Sequence, residues 1–387
     1  MINKHSLTPI KMLLFSFHGA NTMVISFLPL LLTYRGLSGQ EIGWVLAVGP
    51  AISIFAQPFW GFISDKYQTV RKVLLATSVG LVLSSLIFFQ MKTLVFILGF
   101  AILFYFFQSA ISPLADSLTQ RRTEQLGGSF GSVRMWGSIG FATCSLLVGQ
   151  LMNWIGIQYL ILPYLFMTSI VVLVSFHIVD IQIDKKQVRL SDLFKLIKDP
   201  ALFFYLAALL LVSITHRTND NFLGLYISEL GGQDNLIGIA WFVGVVSEAL
   251  VFALAGKWFK KYHPLVILTG AGLIYALRWF LYGYAVHPIF VVFFQVLHGF
   301  SFGIFYLTAF QYVTRLIPEQ LQATGHLLFA TVFFGISGII GSLGGGFILE
   351  YYGGHTLYLT MGVMALLGSC FILLYHIIIR HISTAIR

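Results

Sequence analysis

Charge is scarce in this chain. Of 387 residues only 10% are Asp, Glu, Lys or Arg, where a soluble globular protein carries about 25%. Hydrophobic residues make up 58%, more than a soluble fold could bury, which excludes a water-soluble globule. Cysteine is nearly absent: Cys144 and Cys370 both sit in apolar runs, so no disulfide framework and no Cys-rich metal site is available. The motifs of enzymes are missing as well. No nucleophile with a neighbouring base appears, and the glycine-rich stretches lack the Lys and Ser or Thr of a phosphate loop. Neither enzymatic activity, a cofactor nor a metal is therefore expected. No small-residue cleavage site follows the first apolar stretch, which is read as a retained span rather than a signal peptide.

What is present is oil, in pieces of regular length. Twelve apolar spans can be drawn, at 9–34, 41–63, 72–91, 93–119, 133–155, 158–180, 201–229, 235–257, 264–285, 288–314, 320–350 and 356–379. At a rise of about 1.5 Å per residue each can cross a hydrocarbon core of about 30 Å. The fold class is thus an all-α membrane protein with twelve transmembrane helices.

The net charge of +9 could signal nucleic acid, but its distribution argues against that. With the N terminus inside, 18 of the 23 basic residues fall at cytoplasmic ends and loops, 2 (Arg35 and Lys92) fall outside, and Arg134, Arg217 and Arg278 fall within spans. Such a bias is the positive-inside rule, and it puts both termini in the cytoplasm of a cell-membrane protein. The partners expected are the bilayer, a small solute and protons; no nucleic acid is expected, and the protein is expected to be a monomer.

The longest polar interruption, DIQIDKKQVRLSDLFKLIKDP, falls mid-chain. It divides an N-terminal bundle (1–180) from a C-terminal bundle (201–387), with a cytoplasmic linker (181–200) between them. Leu190, Leu193, Phe194 and Ile197 recur at helical spacing opposite Lys195 and Lys198, which allows either an interfacial helix or a solvated linker. The halves repeat. A shift of 195 residues lays Ile42 on Ile237, Gly43 on Gly238, Gly49 on Gly244, Gly61 on Gly256 and Tyr67 on Tyr262. Glycines 335, 338, 341 and 344, and the small residues Gly131, Ser132, Gly137, Ser138 and Gly140, suit close helix packing.

Several ionisable residues stand where lipid would be expected. SITHRTNDNF (213–222) carries His216, Arg217 and Asp220 inside the seventh span. Glu248, Arg278 and His298 lie in spans eight, nine and ten, each about 15–21 Å deep by helical rise. A charge at helix centre costs about 2.5–3.5 kcal/mol. Arg217, Asp220, Glu248 and Arg278 together would cost about 10 kcal/mol or more in lipid, as much as a domain's net stability. They must face a cavity or one another. Arg217 and Asp220, three residues apart, can pair on one helix face; His216 and Asp220 have metal-ligand spacing, but no further ligand accompanies them. In the first half Asp116 ends FQSAISPLAD and Arg134 opens SVRMWGSIGF, both near cytoplasmic helix ends, as a solute-binding pair or an interfacial ion pair. His18 and Asn21 in the first span either line the same cavity or make a helix-packing hydrogen bond.

The loop GFISDKYQTVRK, 61–72, resembles the signature between spans two and three of the major facilitator superfamily: a glycine, an acid four residues on, then clustered basic residues. Gly61, Asp65, Lys66 and Arg71 are the conformational-loop residues this implies, with Asp65 able to cap or pair across the inner face. The superfamily plan is two six-helix bundles related by an axis along the membrane normal. SPLADSL, VRMWGS, GVVSEALVFAL, RW (278–279) and LH (297–298) further resemble the phenylpropionate permease branch, related to lactose permease and the nucleoside proton symporters. That resemblance implies substrate binding by Asp116 and Arg134, with Phe141 in place of a sugar-stacking tryptophan, and proton coupling by Glu248, Arg278 and His298. Two family positions differ: Ser301 replaces a proton-accepting acid and Val251 an asparagine. The reading is a proton-coupled symporter importing an aromatic acid, sugar or nucleoside. The alternatives are an exporter of drugs or metabolites, or a non-transporting sensor.

Overall fold

The computed structural model describes residues 6–180, 196, 198–254, 262–318 and 321–385. The expected interfacial helix of the linker lies outside them. Among the described residues there are helices and connecting turns and no strands. Eleven helices among the described residues are long and apolar enough to cross a membrane. They are α1 Thr8–Tyr34, α2 Gly39–Lys66, α3 Val70–Phe88, α4 Leu94–Leu126, α5 Phe130–Ile155, α6 Ile157–Ser175, α7 Pro200–Glu229, α8 Asp234–Leu254, α9 Pro264–Gly283, α10 Pro288–Leu316 and α11 Thr324–Ile378. The eleventh and twelfth expected spans fall together in α11. At its Gly353 the backbone leaves helical values, with φ 79° and ψ 170°, a conformation that favours glycine.

Local sequence explains where helices begin and end. Ser38 and Glu41 form a reciprocal capping box at the start of α2. Asp199 caps α7, and His263 and His287 cap α9 and α10, each immediately before a proline at the first helical position. Gly127, in the left-handed region at φ 65°, closes α4 two turns beyond the end expected from hydropathy.

Three spans carry π-helical turns, at Met23–Phe27 in α1, Gly299–Gly303 in α10 and Thr331–Ile336 in α11. A π turn holds one residue too many for the helical ladder and commonly marks a functional site.

The chain divides into two compact units. The first comprises 1–185 with 223–225 and 233–242, and the second comprises 186–222, 226–232 and 243–387. In the first, α1 packs against α5 and α6, and α4 against α2 and α3. Gly140 meets the backbone of Phe15, and Gly19 lies against Cys144. In the second, α9 packs along α11, and α7 is stitched to α11 by polar bonds. Thr218 Oγ1 donates to Gly341 O at 3.3 Å, Asn221 Nδ2 to Ser342 Oγ at 2.7 Å, and Tyr358 OH to Asn219 Oδ1 at 3.1 Å. Thr218, Asn219 and Asn221 of SITHRTNDNF therefore serve helix packing.

Candidate functional site: ion clusters in each unit

In the second unit, α9 presents Arg278 with no solvent exposure at all. A guanidinium in that position must find partners for its N–H groups, and α10 supplies them. One terminal nitrogen contacts His298 Nδ1 at 3.1 Å and Ser301 Oγ at 3.4 Å; the other donates to Gln295 Oε1. Nε donates to Tyr282 OH at 3.2 Å. The guanidinium also lies 4.5 Å from the ring centroid of Trp279, whose indole N–H donates to Thr215 Oγ1 at 2.9 Å. Gln295 and His298, three residues apart, occupy one face of α10.

From α8, Glu248 reaches the other side of His298, with its carboxylate 3.5 Å from Nε2. Glu248, His298 and Arg278 thus form one chain across α8, α10 and α9, with Ser301 attached. The carboxylate retains partial solvent exposure, whereas His298 is buried. A second chain runs beside it on α7. Asp220 takes Arg217 at 2.7 Å and His216 Nε2 at 3.5 Å, and the His216 ring stacks on Phe302 at 4.2 Å between centroids. Arg217 also faces Phe334, 5.8 Å from its ring centroid. Nδ1 of His216 and Nε of Arg217 are buried without a hydrogen-bond partner among the described residues. No group of three or more His, Cys, Asp or Glu with the geometry to hold a metal occurs among the described residues.

In the first unit, Asp116 of α4 and Arg134 of α5 meet at 2.9 Å, each side chain about one-third exposed. His18 approaches the same place. A Cβ at Gly137 would stand 2.6 Å from the His18 ring and 2.7 Å from the Arg134 guanidinium, so a glycine is what lets those two groups share the space. Asn21 accepts from Gln108 Nε2 at 3.1 Å, which is the helix-packing alternative. Phe141 meets Trp241 edge-on at 5.6 Å, within the first unit as clustered.

The signature loop joins α2 to α3. Asp65 is exposed and lines a cavity of about 130 Å³ with Gly61, Ser64, Ser117 and Arg121. The N terminus of α3 is capped by Thr69 and by Asp180, beyond α6. Asp180 accepts from Thr69 Oγ1, from Val70 N at 3.0 Å and from Arg71 N at 3.2 Å, while Arg71 donates to Phe176 O at 2.7 Å. Lys66 lies over the Tyr67 ring. Sequence reasoning missed Gln295, Ser247 and Asp180. The usable signal for Gln295 was its place one turn before His298.

Comparison with known proteins places the chain in a family. The maltose permease of Geobacillus stearothermophilus is 31% identical over 342 residues, 87% of this chain and 86% of that protein. A probable 3-phenylpropionic acid transporter of Escherichia coli is 27% identical over 68% of this chain and 70% of its own length. The crystal structure of nucleoside transporter NupG superposes with a TM-score of 0.81 at 16% identity, covering 95% of this chain and 98% of that one, a likeness of fold. The MFS_1 like family model matches residues 7–360, and the chain belongs to that family of major facilitator transporters, a multi-pass membrane protein that moves small molecules.

Proposed function

We propose that the protein is a proton-coupled symporter that imports a small polar or aromatic solute by alternating access, with twelve membrane crossings in two six-helix bundles and both termini in the cytoplasm. The observation that carries the reading is the contact of Glu248 with His298, which Arg278 holds from its far side. A carboxylate with one face toward solvent and the other on a buried imidazole can take up and release a proton while its neighbours stay fixed.

Asp116, Arg134, His216, Arg217 and Asp220 are proposed to bind the solute, with His18 beside Arg134 and Phe141 as a further contact. Arg134, Arg217 and Arg278 each already have a partner: Arg134 has Asp116, Arg217 has Asp220, and Arg278 has Gln295 and its neighbours. An acid beside an arginine offers an acceptor and a donor together, which suits vicinal hydroxyls better than a carboxylate. A sugar or nucleoside is therefore favoured over an aromatic acid. The names of the relatives, a maltose permease and a nucleoside transporter among them, are compatible with that choice.

The test uses proteoliposomes screened with labelled oligosaccharides, nucleosides and aromatic acids. A transported solute added to wild-type vesicles should make the medium more alkaline, and Glu248→Gln should abolish that signal while leaving counterflow exchange. Alkalinisation that persists undiminished in Glu248→Gln removes Glu248 from the coupling role.

A further inference from the structure

Next to the Glu248–His298 contact, α8 and α10 touch backbone to backbone. A Cβ at Gly299 would overlap the carbonyl of Ser247 and stand 2.8 Å from the amide nitrogen of Glu248. The Gly299 N–H crosses between helices to donate to Ser247 Oγ at 2.8 Å, and that hydroxyl donates its own proton to Gly244 O at 2.9 Å. The joint is therefore fully bonded in one orientation: the hydroxyl proton points into α8 and its lone pair accepts from α10. Gly299 is also the first residue of the π turn that ends at Gly303, which lies 3.7 Å from Glu248 Cγ when a Cβ is built on it.

Ser247 precedes Glu248 and Gly299 follows His298. The joint is thus one peptide away from both members of the ionic contact, and its own bonds involve neither side chain. An ion pair between a carboxylate and an imidazolium weakens when either partner loses its charge, because the Coulomb attraction disappears with the charge. A neutral hydrogen bond between a hydroxyl and a backbone amide does not change with protonation.

We propose that Ser247 and Gly299 are positioning residues, a charge-independent joint that keeps Glu248 in reach of His298 throughout the protonation cycle and holds the π turn of α10 beside it. The proposal rests on the proton-coupling reading above. Without the hydroxyl, the two helices part when the ionic contact is discharged, and solute crosses without its proton.

Ser247→Ala, Ser247→Thr and Gly299→Ala would be compared with wild type in proteoliposomes. Counterflow exchange reports folding and solute movement; protons taken up per solute, and the pH profile of uptake, report coupling. Ser247→Ala should keep counterflow, lose coupling by about tenfold, the size of one buried hydrogen bond, and flatten the pH profile. Ser247→Thr, which keeps the hydroxyl, should restore both. Gly299→Ala should lose coupling at least as severely. Unchanged coupling in Ser247→Ala overturns the joint alone, as does a parallel loss of counterflow and coupling that Ser247→Thr fails to separate. A wild type that moves solute without protons overturns the coupling reading, and the joint with it.

Discussion

Arg278 has no contact with solvent, so each guanidinium N–H that loses its acceptor is left bare in a low-dielectric interior. Gln295→Leu removes one acceptor while keeping bulk. It should cost about 1–3 kcal/mol, read as a lower thermal midpoint in detergent together with weaker transport. Arg278→Lys should not substitute, because one ammonium cannot reach Tyr282, Gln295, His298 and Ser301 in the fixed fork geometry of a guanidinium. For the buried pair on α7, Arg217→Gln or Asp220→Asn alone leaves an uncompensated charge, at about 3–5 kcal/mol. The double variant should be more stable than either single one, measurable by fluorescence-detected gel filtration after heating. Glu248, Arg278 and His298 were legible in the sequence because charge at that depth needs an explanation. Gln295 and Ser247 were not, because an uncharged polar side chain carries a smaller cost in a span and attracts no notice until the groups it serves are known.

At the scale of elements, the capped helix starts could be read from the Ser38–Glu41 capping box and from Asp199 and the two His-Pro pairs, each of which joins an acceptor to a proline that cannot continue a helix backwards. The π turns could not: a turn that gains a residue is decided by what packs against it. The cap on α3 was also hidden, because Asp180 lies 109 residues from Arg71 and reads locally as the first residue of a linker. Asp180→Ala removes the acceptor for Thr69, Val70 and Arg71 and should cost about 0.5–2 kcal/mol, seen as a fall in thermal midpoint. At the start of α9, His263 Nδ1 accepts from Leu265 N at 3.3 Å, and the ring lies 4.4 Å from that of His376. Burial lowers the His263 pKa, with His376 and Arg315 acting in the same sense. The neutral ring is thus favoured in the folded state. Its contribution is complete above the usual value of about 6.5 and is lost as pH falls from there toward the lower folded value. Thermal stability should decline on acidification through that window, and less steeply in His263→Asn.

For the whole molecule, hydropathy was sufficient to identify a bundle of membrane-length helices, because apolar runs of that length have few other uses. Boundaries were read less well where polar residues continue a helix, as in the last two turns of α4, and where the chain turns on a single glycine, as at Gly353. The proposed orientation makes a direct prediction for two exposed lysines, Lys72 at the start of α3 and Lys92 in the turn between α3 and α4. With Cys144 and Cys370 replaced by serine, Lys92→Cys should react with an impermeant maleimide added to intact cells. Lys72→Cys should react only after the membrane is opened. The opposite labelling pattern would reverse the topology and the meaning of every inside and outside assigned to it.

Because the indole of Trp279 is sealed from water, tethered to Thr215 and faced by the Arg278 guanidinium, the protein carries its own lamp at the heart of its second unit. Light emitted there should brighten or dim as charge redistributes among Arg278, His298 and Glu248, and a difference spectrum against Trp279→Phe would isolate it. Turnover could then be watched in unlabelled protein, one photon source away from the chemistry.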